Sequence, residues 1–309
     1  MSEQQHWAAR QERGSFWLMK VTAFGMRVLG RRVLSPILYG IVFYFFLFGR
    51  TARRSAWQYR QRLATWAAQP QLAPSHWRVF KQFMAFAESL LDKLDVWNGK
   101  LDIAQIEIVD PANLRSQLRG PRGQMLVGAH LGNLEVCRAL AELGEQVTMN
   151  VLVHTKHAEH FNRLLGEAGA THLRLIQVSE LNPAIMLQLS QRLEHGEWLA
   201  IAGDRVPLHG GRHVQVDFLG APAAFPQGPW LLAGLLQCPI NLLFCLKVHG
   251  RYRITLEPFA DAITWRRSDR DQVIAQCAGR YAERLGHYCL QAPAQWFNFY
   301  PFWKAADDA

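Results

Sequence analysis

The sequence predicts an α/β fold: a mostly parallel mixed sheet flanked by helices, preceded by a helical segment suited to a membrane surface. Three observations predict it. From residue 124 to residue 291, apolar runs of strand length alternate with stretches of helical spacing, the order that builds parallel sheets covered by helices. Two late strand-like runs meet at "HGR", residues 249–251, too tightly for a crossover helix, so that pair is antiparallel. Finally, the chain starts with an amphipathic stretch and an apolar, aromatic run bracketed by arginines.

Composition narrows the class further. With 309 residues, half of them hydrophobic, and eleven tryptophans, the chain can bury a substantial core and is too apolar for disorder. Its formal charge of +9 calls for a negatively charged partner: nucleic acid, an anionic bilayer or an acidic carrier protein. Nucleic acid is disfavoured, because the arginines gather around the apolar run and no recognised binding motif accompanies them. Cys137, Cys238, Cys245, Cys277 and Cys289 show no paired spacing. Neither a disulfide framework nor a zinc site is expected, and a reducing compartment is.

No secretory signal is expected, because the first thirty residues lack an apolar core with a small-residue cleavage site. Val33 to Phe48, "VLSPILYGIVFYFFLF", is sixteen uncharged residues flanked by Arg31 and Arg32 before and by Arg50, Arg53 and Arg54 after. As a helix it is roughly 24 Å long, short of the roughly 30 Å hydrocarbon core. Six aromatic residues with basic flanks favour a membrane-inserted or interfacial anchor over a buried core helix. Upstream, "SFWLMKVTAFGMRVLG" places Lys20 and Arg27 seven apart among apolar residues, an amphipathic pattern. The expected division is therefore an anchoring segment over 1–54 and one α/β domain over 55–309.

The elements follow in order. Helical periodicity runs from Trp57 to Trp97 and is broken at Pro70 and Pro74. After "GPRG" come "QMLVGA" and a helix over Leu134 to Leu143, "VTMNVLV" and a helix over Ala158 to Ala168, then "LRLIQV" and a helix over Pro183 to Glu194. "EWLAIAG" and a helix over Gln227 to Gln237 come next, followed by "PINLLFCLKV", "RYRITLEPF" and a helix over Arg270 to Gln291. There are no repeats and no low-complexity linker.

This order puts "GAHLGNLEV", residues 128–136, at the turn between a strand and a helix. His130 then sits at the carboxyl end of the strand, where ligand sites of open α/β sheets collect. Were the whole motif helical, His130 and Glu135 would be about 140° apart around the axis and could not face one pocket. With Gly132 and Asn133 making a turn, Glu135 enters the first helical turn, where the macrodipole favours a carboxylate. It can then reach back to a ring nitrogen of His130, fixing the tautomer and supporting the imidazolium that forms on proton uptake.

"GAHLGNLEV" resembles the H-x-x-x-x-E motif of the bacterial lipid A late acyltransferases, the lauroyl and myristoyl transferases of the lysophospholipid acyltransferase superfamily. Glycerolipid members usually carry Asp at the fifth position, so Glu135 matches the lipid A branch. The stretch from "EHGEWLAIAGDRVPLHGGRH" to "CPINLLF" is similar to that family's second conserved region: a strand ending in an acid, a loop, a phenylalanine-rich strand, a glycine-containing turn into an apolar helix, and a strand opening at a proline. The "GDRVPLHGGRH" loop departs from the lipid A enzymes, as do Asn298 and Tyr300 in the closing "APAQWFNFYPFW", which is less basic than theirs. These departures bear on the acceptor rather than on the chemistry.

The resemblance implies an O-acyltransferase at the cytoplasmic face of a bacterial inner membrane. It implies an acyl carrier protein or acyl-CoA donor, a lipid A precursor as amphipathic acceptor, and no cofactor beyond the thioester co-substrate. Another lysolipid, a glycolipid or a polyene pigment precursor is the alternative acceptor, and a non-catalytic membrane scaffold the alternative class. His130 is expected as base, Glu135 as its orienting acid, and the Gly132 and Asn133 amides as oxyanion donors. Asp204, Arg205, Arg212 and Lys156 fall on loops expected at the same sheet edge, with Arg163 in the helix after Lys156, and all five are expected to contact substrate. His154, His157 and His160 lack converging partners, so no metal is expected. No G-x-S-x-G elbow or phosphate-binding glycine loop is present.

Overall fold

The computed structural model describes residues 36–97, 106–137, 147–153, 173–206 and 211–303. Three helices open the described chain: α1 over 36–48, α2 over Arg50–Trp66 and α3 over His76–Trp97. Pro70 begins the short 3-10 turn between α2 and α3, where the sequence predicts a break. The expected division at residue 54 falls inside α2, which is one continuous helix across it. Among the described residues, no helix is long and apolar enough to cross a membrane.

Seven strands form the main sheet: β1 (Glu107–Val109), β2 (Met125–Gly128), β3 (Met149–Val153), β4 (Leu173–Gln177), β5 (Trp198–Ala202), β8 (Ile240–Val248) and β9 (Arg251–Ala260). Their spatial order is β1-β9-β8-β2-β5-β3-β4. Only β8 and β9 pair antiparallel in this sheet, joined through His249 and Gly250, both at positive φ, as a tight hairpin requires. A separate antiparallel pair consists of β6 (His213–Asp217) and β7 (Pro222–Pro226). The sequence pattern misses β1, which is only three residues long, and the hairpin partnership of β6 with β7.

Alternation along the central strands sorts the two faces of the sheet. On β2, Met125 and Val127 join the larger core while Leu126 joins the smaller; on β8, Ile240, Leu242, Phe244 and Leu246 go one way and Leu243 and Cys245 the other. Period-two alternation with both faces apolar is what a strand covered on both sides requires. The larger core is roofed by α4 (Pro183–Glu194), α5 (Gly228–Leu236) and α6 (Arg270–Gln291), through Leu189, Trp230, Tyr281 and Leu285. Helix α2 adds Tyr59 and Leu63 to it, and α1 packs Val42 on Phe80, Met84 and Ala87 of α3.

Topology fixes the position of the site. Strand β2 lies in the middle of the sheet and pairs in parallel with β5 in the register Gly128 to Ala202. The residues two further along each strand, His130 and Asp204, therefore leave the sheet side by side.

Candidate active site

After β2 the chain passes through Ala129, His130, Leu131, Gly132 and Asn133 before a single 3-10 turn over Leu134–Cys137. The turn is clamped on both sides. Leu131 bridges to Trp296 and Gly132 to Cys245. The Phe297 N–H donates to the His130 carbonyl (2.9 Å), the Gly132 N–H to the Gln295 carbonyl (2.9 Å) and the Asn133 N–H to the Cys245 carbonyl (2.9 Å). Gly132 is obligatory: its φ is +73° and a Cβ there would stand 1.8 Å from the Cys245 carbonyl oxygen. Buried Asn133 ties the turn to α3, its side chain donating to the Ser89 carbonyl at 3.1 Å. Both amides expected to hold an oxyanion are thus engaged inside the fold, so the sequence-based assignment of that role to Gly132 and Asn133 does not fit this geometry.

The His130 side chain is 39% exposed, whereas Asp204 is 1% exposed. Asp204 Oδ1 lies 2.8 Å from His130 Nδ1. Its Oδ2 accepts from the His130 backbone N–H at 3.0 Å and from the Trp296 indole N–H at 3.1 Å. Burial alone would raise the carboxyl pKa, but the facing His130, the two hydrogen bonds from His130 and neighbouring Arg205 together hold it at about 2. An ionised carboxylate only accepts, so the proton on the ring belongs on Nδ1. Nε2 is left as a proton acceptor at the exposed side of the ring. Asp204, expected from the sequence among substrate contacts, is the hydrogen-bond partner of His130.

Glu135 lies on the 3-10 turn, and its side chain falls outside the described residues, as do Lys156 and Arg163. Arg205 turns toward the closing segment: its guanidinium donates to the Phe297 carbonyl at 2.8 Å and lies 5.8 Å from the Tyr300 ring centroid. Arg212 is exposed just before β6.

Sequence reasoning passed over the support behind Asp204. Trp296, fully buried, packs edge-on against Tyr59 of α2 at 4.9 Å and against Phe218 at 5.3 Å. Its carbonyl accepts from Gln82 of α3 at 2.9 Å, and Gln82 in turn accepts from buried Arg60 of α2 at 3.3 Å. Burial lowers the Arg60 pKa. A polar chain therefore runs from α2 through α3 to Trp296, Asp204 and His130. The one sequence signal for it is the aromatic density of "WFNFYPFW". Behind the turn, a cavity of about 240 Å³ is lined by Ser89, Asp92, Asn133, Lys247 and Tyr252 among others; Lys247 and Tyr252 both bond Asp92.

A buried carboxylate that orients an exposed imidazole, at the carboxyl edge of a central parallel strand, has the geometry that general-base chemistry requires. The model of the family described as bacterial lipid A biosynthesis acyltransferase matches residues 3–305. Nearly the whole chain is covered, and the chain belongs to that family. Comparison with curated proteins returned no match.

Proposed function

We propose that this acyltransferase moves a fatty acyl group from a thioester, on acyl carrier protein or CoA, to a hydroxyl of a lipid A precursor at the cytoplasmic face of the inner membrane. The observation that carries the reading is His130, protonated at Nδ1 against buried Asp204 and open at Nε2. Nε2 takes the acceptor hydroxyl proton while the oxygen attacks the thioester carbonyl. The tetrahedral intermediate then collapses: the C–S bond breaks, and the leaving sulfur takes the proton back from the imidazolium. No acyl-enzyme and no cofactor enter this scheme. Nδ1 faces Asp204, so the tautomer-fixing role expected of Glu135 falls to Asp204.

Membrane association is supported by α1, which leaves Phe43, Tyr44, Phe45, Leu47 and Phe48 exposed, an aromatic face too extensive for a free surface helix. One observation favours a less highly charged acceptor, another lysolipid, glycolipid or polyene pigment precursor: Arg205, one of the cations expected to meet phosphate, is directed at Phe297 and Tyr300. Incubating the purified protein with acyl carrier protein thioester and either a bis-phosphorylated saccharolipid or a neutral lipid alcohol, with products read by mass spectrometry, decides between them. His130→Ala should abolish transfer to whichever is used. A His130→Ala protein keeping more than a tenth of the wild-type rate would refute the mechanism, since base assistance is worth about 100-fold or more.

A further inference from the structure

A groove of about 560 Å³ runs along the outer face of α2, remote from the catalytic turn, and is lined by Arg54, Trp57, Gln58, Gln61, Arg62, Thr65 and Trp66, with Leu219 and Gly220 of the β6–β7 turn opposite. The α2 residues fall at i, i+3, i+4, i+7, i+8, i+11 and i+12, one continuous stripe. The opposite stripe of the helix, Ala56, Tyr59, Leu63 and Ala64, is buried in the protein. Apart from Trp66, which packs against the larger core and His287, the outer stripe owes its composition to something other than core packing. Two guanidiniums, two carboxamides, a hydroxyl and two indoles suit a phosphate joined to a polyol.

The Thr65 hydroxyl donates to the Gln61 carbonyl at 3.0 Å, whereas the other polar side chains of the stripe are underused. Among the described residues, the side chains of Arg54, Gln58 and Gln61 make no hydrogen bond or ion pair, and Arg62 Nε is buried without a hydrogen-bond partner. Arg62 is held 5.0 Å from the Trp303 ring centroid. No acid among the described residues lines the groove, and Asp217, beside the β6–β7 turn, accepts from the Gly220 N–H at 3.1 Å. The groove also has a defined open end: Arg54 lies six residues after Phe48, which is 70% exposed on the aromatic face of α1. From Arg54 to Trp66 the stripe extends roughly 18 Å. A lipid whose acyl chains lie beside α1 can therefore lay its head group along α2. The aromatic layer of Phe218, Trp303 and Trp296 separates this groove from Asp204.

We propose that the groove is a binding site for the phosphate-bearing head group of an anionic bilayer phospholipid, distinct from the acceptor site. The proposal rests on the membrane-associated reading above, and the test separates the two. Full-length wild-type protein and an Arg54→Ala/Arg62→Ala variant are floated with neutral phosphatidylcholine vesicles and with vesicles containing phosphatidylglycerol. Acyl transfer is measured in parallel in neutral detergent. Binding to neutral vesicles reports membrane association through α1, and its absence in both proteins overturns the membrane reading itself. The increment due to phosphatidylglycerol reports the groove. A basic residue near an anionic surface is worth about fivefold in affinity, so the pair should lower that increment by roughly 25-fold, with KM in neutral detergent unchanged. Substituting the exposed pair Arg266 and Arg267 by alanine should leave it largely intact. Equal loss in the Arg266/Arg267 variant, an undiminished increment in the Arg54/Arg62 variant, or a KM rise for a phosphorylated acceptor without loss of vesicle binding each overturns the proposal, the last by giving the groove to the acceptor.

Discussion

Asp204→Asn isolates the central device of the site, because it keeps shape and volume while changing one oxygen into an amide donor. Three N–H groups converge on the carboxylate: His130 Nδ1 at 2.8 Å, the His130 backbone at 3.0 Å and the Trp296 indole at 3.1 Å. Asparagine has one acceptor oxygen. With that oxygen kept where two donors meet, at the Oδ2 position, the amide NH2 faces Nδ1 and forces the ring proton onto Nε2. The base is then lost without removal of the histidine. The expected fall in rate is about 100 to 10,000-fold, comparable to the wrong-tautomer effect documented for the serine-protease triad. Acyl transfer measured at saturating donor, together with the histidine ring 15N pattern, reads both consequences. A folded Asp204→Asn protein that retains more than a tenth of the wild-type rate, or whose His130 still carries its proton on Nδ1, would refute the reasoning.

The same substitution has a stability signature with a definite sign. The folded carboxyl sits at about 2 against an ordinary 3.8, a depression equivalent to roughly 2 kcal/mol. A depressed acid stabilises above its unfolded pKa and loses that contribution as pH falls through its folded pKa. The stability gap between wild type and Asp204→Asn in urea should therefore be full at pH 7 and roughly halved by pH 3. A gap independent of pH across that range would assign the loss to packing instead.

Trp296→Phe keeps an aromatic ring between Tyr59 and Phe218 but removes the indole donor to Asp204. It should lower stability by about 2 kcal/mol and slow transfer less than Asp204→Asn does, as checked by urea unfolding and steady-state rates. Glu135→Gln should slow transfer less than His130→Ala; equal loss in the two would return to Glu135 the orienting role that geometry gives Asp204. Replacing Tyr44 and Phe48 together by serine removes exposed rings that touch only each other and Phe45. It should weaken vesicle flotation while shifting the melting temperature by less than about 3 °C.

Over the described residues the alternation of strands and helices was legible because each central strand is apolar on both faces and bounded by turns; β8, from Ile240 to Val248, could be read directly from "PINLLFCLKV", whereas the helices expected over 134–143, beyond its opening 3-10 turn, and over 158–168 lie outside the described residues. The location of His130 was legible as well, since the strand ahead of it and Gly132 after it mark a turn. The partner of His130 was not legible. Asp204 lies 74 residues away, and only the parallel register of β2 with β5 brings it alongside, information that resides in pairing rather than in local pattern. The Gly132 and Asn133 amides were misjudged for a related reason. Their acceptors, the carbonyls of Gln295 and Cys245, lie more than a hundred residues further on and close the turn from outside it.

These long-range closures have a consequence for how the anchor relates to the catalyst. Read from sequence, residues 1–54 form a detachable anchor. In the fold, α2 begins at Arg50 and delivers Tyr59 against Trp296 and Arg60 to Gln82, while α1 covers Phe80, Met84 and Ala87 of α3 through Val42. Helix α3 in turn holds the Trp296 carbonyl through Gln82 and the Asn133 side chain through the Ser89 carbonyl. Removing 1–54 unravels the start of α2 and bares the apolar face of α3, and both helices support the residue that orients His130. Each fully buried apolar side chain is worth about 1.5–3 kcal/mol, so loss of the Val42 contacts, with fraying of α2, weakens the α3 contacts by about 2–4 kcal/mol, a sizeable part of a domain's marginal stability. The truncated chain should therefore lose activity toward short soluble acceptors as well as toward bilayers, and should unfold at lower urea. Full activity on a soluble acceptor after truncation would show instead that the Trp296–Asp204–His130 unit stands without its helical support.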